Sequence, residues 1–119
     1  MTGWLQRLWR APDAQEAQTL TDLASDVGAD PISSCQRGQR IRVCGTVRSL
    51  ALRPESTSPT LEVEIYDGSG HLTLVWMGRR MIPGIEVGRR LIAEGRLTCP
   101  DGQPRVYNPE YTLQPRVAS

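Results

Sequence analysis

The sequence contains no lysine and no phenylalanine. Without lysine there is no G-x-x-x-x-G-K-[ST] loop, so a Walker-type phosphate site is excluded. Every basic side chain apart from His71 is therefore an arginine. Genome composition produces biases of this kind, and the absence by itself carries little functional weight. Cysteine is scarce: Cys35, Cys44 and Cys99 cannot all pair with one another. Their separations, 9 and 55 residues, match no zinc pattern, and His71 is the single histidine. No metal site and no cofactor are expected, and a reduced, cytoplasmic compartment is the simplest setting. Long apolar runs are also missing. None approaches the roughly 18 residues of a membrane span. Two arginines near the start are followed by no long apolar stretch, so no secretory leader is expected.

What is present describes one globular domain. The 119 residues are 39% hydrophobic and 23% charged, with 11 glycines besides, which argues against global disorder. The formal charge of +1 hides an asymmetry. Residues 1–34 hold two arginines against five acids, a net −3, and residues 35–119 hold twelve arginines against eight acids, a net +4. A basic body of that size is compatible with a polyanion partner without requiring one.

The hydrophobic period divides the chain. In residues 1–10, Trp4, Leu5, Leu8 and Trp9 fall at helical spacing beside Arg7 and Arg10. That segment could dock a partner or a sister chain, lie on a membrane surface, or pack on the body of the domain. Residues 11–28 read as a helix capped by Asp13 with Glu16 three positions on. Its apolar face is Ala17, Leu20, Leu23, Ala24 and Val27; Gly28 stops it and Pro31 blocks continuation. From Gln36 the period becomes two. Strands are expected at 40–52, 60–67, 71–77, 89–98 and 105–113, the last interrupted or ended at Pro109. D-G-S-G at 67–70 is a tight turn. Five short strands, with bends at Gly45 and Gly95, predict an all-β domain with an N-terminal helix, closed as a five-stranded barrel. The expected division is a helical extension at 1–34, the barrel at 35–115 and a tail at 116–119.

The runs RIRVCGTV, YDGSGHLTLVWM, GRRLIAEGRL and VYNPEYTL resemble the OB-fold nucleic-acid-binding domains of the anticodon-binding type. Within that superfamily they are similar to the wedge domain of the branch-migration helicase RecG. The whole chain also resembles small stand-alone OB-fold proteins of actinobacteria, in which an acidic helical preface precedes the barrel. The resemblance implies a five-stranded OB barrel that binds single-stranded DNA or RNA. No helicase motor is present, so fork remodelling is not implied.

Such a ligand needs cations for phosphates and flat side chains for bases. Arg48, Arg53, Arg79, Arg80 and Arg105 are the expected phosphate contacts, with Tyr66 or Tyr107 stacking a base. Each has a plainer alternative. Tyr66 and Tyr107 could cap a barrel end, and Arg79–Arg80 could be a solvated rim. Trp76 shares a face with Leu72 and Leu74 and belongs to the core. Glu62 and Glu64 point outward, where they would repel phosphate or pair with Arg42, Arg48 or Arg96 across strands. His71 beside the turn has no nucleophile or carboxylate pattern around it, so no catalysis is expected. The other reading is a protein-interaction module using the barrel and residues 1–28, through which the chain could also self-associate.

Overall fold

The computed structural model describes residues 14–53 and 58–115. The Trp4–Trp9 segment, the Asp13 cap and the 116–119 tail lie outside them. The chain is mostly β, with a helix at its front. Helix α1 (Ala14–Asp26) leads into a 3-10 turn at Ile32–Ser34. Strands β1 (Arg40–Arg53), β2 (Thr60–Tyr66), β3 (His71–Met77) and β4 (Arg90–Arg96) follow. After a second 3-10 turn at Pro100–Gly102 come β5 (Arg105–Tyr107) and β6 (Glu110–Leu113).

The six strands form one sheet in the order β5-β3-β2-β1-β4-β6. This corrects the expectation of five strands closed into a barrel: the hydrogen-bonded ladder is open. The physical reason lies at Asn108–Pro109. Asn108 takes a left-handed φ of 49° and Pro109 has no N–H, so the fifth stretch, interrupted at Pro109 as expected, becomes two strands. Its first half pairs in parallel with β3 and its second half pairs antiparallel with β4. The two edge strands are thus consecutive pieces of one segment. An isolated bridge between Thr98 and Arg105 links the chain just after β4 to the start of β5.

Strand β1 serves two neighbours. Residues 40–46 pair with β4 and residues 46–53 pair with β2, so the ladders hand over at Thr46, next to Gly45. The alternation read from sequence holds up to Val47, where Ile41, Val43 and Val47 are buried inward. At Arg48 a bulge adds one residue, because Val47 pairs with Ile65 and Ser49 already pairs with Glu64. The phase therefore flips. Leu50 and Leu52 face inward opposite Val63 and Leu61, and Ala51 and Arg53 face outward.

The inward side chains make a single core. It includes Val43, Val47, Val63, Ile65, Leu72, Leu74, Leu91 and Val106, closed below by Ile82 and Ile85. Trp76 belongs to it, as its periodicity requires, and meets Tyr111 edge-on with ring centroids 5.7 Å apart. Gly95 lets the core close. A Cβ there would lie 2.6 Å from a Val106 methyl, so the small residue is what admits β5 against β4. Helix α1 packs on the opposite, outward side of β1 and β4. Ala24 is buried there against Cys44 and Ile92, with Val27 and Ala29 alongside. The helix also seats on the β2–β3 turn, where Gly68 has a φ of +91° and a Cβ would collide with the Ala17 carbonyl.

That turn is tied to the rest of the chain by one carboxylate. Asp67 is 1% exposed. Its Oδ1 accepts hydrogen bonds from the Ser69 N–H (2.9 Å), the Ser69 hydroxyl (2.7 Å) and the Gly70 N–H (3.0 Å). Its Oδ2 accepts from the N–H of Ile32 at 2.8 Å, which fastens the segment after α1 to the hairpin.

Candidate functional site

The register places outward side chains of four strands in rows. One row is Arg53, Thr60 and Met77. The next is Ala51, Glu62, Val75 and Tyr107, and the third is Ser49, Glu64, Thr73 and Arg105. A last row, Thr46, Tyr66 and His71, lies at the end of the face covered by α1. The face therefore runs from the turn at 67–70 to the end of β3, where Gly78, Arg79 and Arg80 leave the sheet.

Charge is distributed unevenly along it. Glu62, with a side chain 18% exposed, lies between two guanidinium groups. Arg53 Nε is 3.5 Å from one of its oxygens and Arg105 Nη1 is 3.2 Å from the other. The trio nets +1, and Glu64 on the same face cancels that. Arg79 and Arg80 are exposed and make no ion pair among the described residues. Unscreened positive charge thus collects at the Met77 end, where Tyr107 is 43% exposed. Asn108 holds this corner: its side-chain oxygen accepts the Met77 N–H at 3.0 Å, and its own N–H donates to Val75.

The seven residues singled out in the sequence divide three ways. Arg53, Arg105 and Tyr107 share the outward face. Arg79 and Arg80 stand just beyond its end. Arg48 and Tyr66 sit at the other end, under α1. Arg48 is ion-paired with Glu16 of the helix, its guanidinium carbon lies 5.3 Å from the Tyr66 ring centre, and Tyr66 is 9% exposed with its hydroxyl on the Gly68 carbonyl. The expected partners of Glu62 are replaced by others. Arg42 pairs with Glu94 at 3.2 Å, Arg48 pairs with Glu16, and Arg96 donates to the Gly38 carbonyl.

Two clefts open beside this face. One, of about 280 Å³, lies at the mouth of the core between Leu50, Leu52 and Leu61 on one side and Met81, Ile82 and Ile85 on the other, with Arg80 at its rim. The second, of about 320 Å³, lies between the Ile32–Ser34 turn and the loops after β4, with Cys35, Cys99 and His71 among its lining. Burial pushes the Cys35 thiol up, and the charges of Asp30 and Asp67 push it further. Burial likewise raises the Cys44 thiol beneath α1, against the opposing pull of Arg90.

A solved structure of RecG bound to a three-way DNA junction is similar to this chain. The superposition has a TM-score of 0.57 and 19% sequence identity. It covers 66% of this chain but only 11% of that one. At that identity the likeness is one of fold. No family model matches the chain, and no curated protein matches it. No described helix is long and apolar enough to cross a membrane.

Two features escaped the sequence. The bulge at Arg48 is invisible to period counting, so the exposed Leu50 and Leu52 at the core mouth were not foreseen. A pattern of S-L-A-L directly after a charged residue in a long strand was the available signal. The clamp of Arg53 and Arg105 on Glu62 depends on β5 pairing in parallel with β3, and no local pattern encodes that pairing.

Proposed function

We propose that this chain is a non-catalytic OB-type domain that binds single-stranded DNA or RNA along its β1–β2–β3–β5 face. Arg79 and Arg80 neutralise phosphates, Arg53 assists, and Tyr107 stacks a base beside Met77. Arg105 is mostly engaged with Glu62 and orients that carboxylate away from the ligand. The observation that carries the reading is the pair of unmatched guanidinium groups next to an exposed ring, on a fold similar to that of a protein seen with DNA. The strand hand-over at Thr46 and the consecutive edge strands β5 and β6 support an OB-type strand arrangement whose ladder is open. A working place in the cytoplasm fits three unpaired cysteines.

A fluorescence titration with a labelled oligothymidylate at several salt concentrations tests this. Each phosphate neutralised on a single strand contributes a slope of about 0.7 in log K against log salt. Replacing both Arg79 and Arg80 by alanine is expected to lower the slope by about 1.4 and leave the fold intact. Failure of the wild type to bind at about 100 μM protein in low salt overturns the reading, since even non-specific contacts reach that range. The apolar cleft at Leu50, Leu52 and Met81 favours a second reading, a protein-docking module. A stoichiometric protein partner that resists nuclease would carry it.

A further inference from the structure

We propose that α1 is a displaceable cover on the same nucleic-acid face, with Glu16 occupying the place of a ligand phosphate at Arg48. This rests on the binding reading above and names how that face is regulated. Tyr66 lies in the row beside Glu64, Thr73 and Arg105, and Arg48 reaches over its ring from the bulge, a cation beside a ring of the kind a single strand requires. The face is therefore continuous from Arg79 to Arg48, and α1 occupies its last row. The occupant is anionic: α1 carries Glu16, Asp22 and Asp26 and no basic residue.

The attachment of α1 is thin. Of its thirteen residues only Ala24 is buried. The fit at Arg48 is also incomplete. Its Nη2 meets Glu16 while its buried Nε finds no acceptor among the described residues. A phosphodiester, with several oxygens, can serve more of the guanidinium than one carboxylate oxygen does. An approaching polyanion repels α1 and attracts Arg48, so both terms favour exchange. By linkage, ligand binding and closure of α1 oppose each other by the same factor, so a change that loosens α1 without removing a ligand contact tightens the ligand.

Cys44 provides an independent readout, because it is buried beneath Ala24 of α1. The test uses the full chain and a labelled oligothymidylate. One further phosphate contact at 0.1 M salt is worth about fivefold in affinity and about 0.7 in salt slope. Glu16→Gln is expected to produce that gain. Asp26→Asn, which removes the same charge away from Arg48, is expected to give less than half of it. Gly68→Ala, which unseats α1 without changing charge, should also tighten binding. In an Arg48→Ala background the effect of Glu16→Gln should vanish. Saturating the wild type with oligothymidylate should speed alkylation of Cys44 by iodoacetamide several-fold. Glu16→Gln binding no tighter than Asp26→Asn, or Cys44 equally protected with and without ligand, overturns the cover while leaving the binding reading in place. Absence of binding by the wild type at about 100 μM protein in low salt overturns the two together.

Discussion

Replacing Asp67 by asparagine should detach the residue-32 segment from the hairpin while leaving the turn itself formed. An amide carries one oxygen where the carboxylate carries two. If that oxygen takes the Oδ1 position, the donors of Ser69 and Gly70 keep an acceptor. The amide NH2 then faces the Ile32 N–H, so two donors meet in a site where Asp67 is 1% exposed and Ile32 is buried. A hydrogen bond to a charged group contributes about 1.5–3 kcal/mol, so Asp67→Asn should cost about 2 kcal/mol. Asp67→Ala removes all four bonds. Water can reach Ser69 and Gly70, which are half-buried, and the loss there is partly recovered. The total should be about 4 kcal/mol, a large share of the roughly 5–15 kcal/mol that holds a domain together. Urea unfolding followed by circular dichroism measures both values. Hydrogen exchange should show the Ile32 amide exposed in Asp67→Asn while the Gly70 amide stays protected. A cost below about 1 kcal/mol for Asp67→Ala, or loss of Gly70 protection before Ile32, refutes the assignment of the two oxygens.

Other outcomes follow from the packing and the charges. Gly95→Ala places a methyl 2.6 Å from a Val106 methyl and should cost about 1–3 kcal/mol. Val106→Ala in the same chain should recover part of that loss, and strict additivity in the thermal unfolding of the double variant would refute the contact. Glu62→Gln frees Arg53 and Arg105 on the outward face. Oligonucleotide affinity should then rise with a steeper salt dependence, whereas weaker binding would mean that the carboxylate positions Arg105 for the ligand. Burial raises the Cys44 thiol in the folded chain, with Arg90 opposing, so the folded state holds that proton more tightly than the unfolded state. The associated stability is whole below the unfolded thiol value of about 8.5 and is lost as pH rises through the folded value. Stability should therefore decline above about pH 8.5, and Cys44→Ala should flatten part of the decline.

The parts of the fold that sequence makes legible are those written in local period. The α1 face at Ala17, Leu20, Leu23 and Ala24, with Val27 just past its end, is the face that turns toward the sheet, and β3 spans His71–Met77 as its alternation predicts. What is not legible is set by pairing over long distances. Pro109 marks an interruption in the segment 105–113, but nothing local says that each half finds a different neighbour. The same limit applies to the site. The types of residue and the pairing of outward acids with arginines are visible, but not the partners, because Glu62 meets Arg105 across 43 positions and Glu16 meets Arg48 across 32. Arg79 and Arg80 are exposed because they leave the sheet at Gly78, in the irregular stretch before β4.

The succession of β5 and β6 along the chain has a consequence for assembly. The partners of both borders arrive together, from one stretch that follows the four other strands in the chain. Until residues 105–113 emerge, β3 and β4 each present a bare rim of unpaired amides and carbonyls, a template for neighbouring polypeptides. Truncation at about residue 104 would expose both rims at once, so shortened products should aggregate more readily than any point variant of the body.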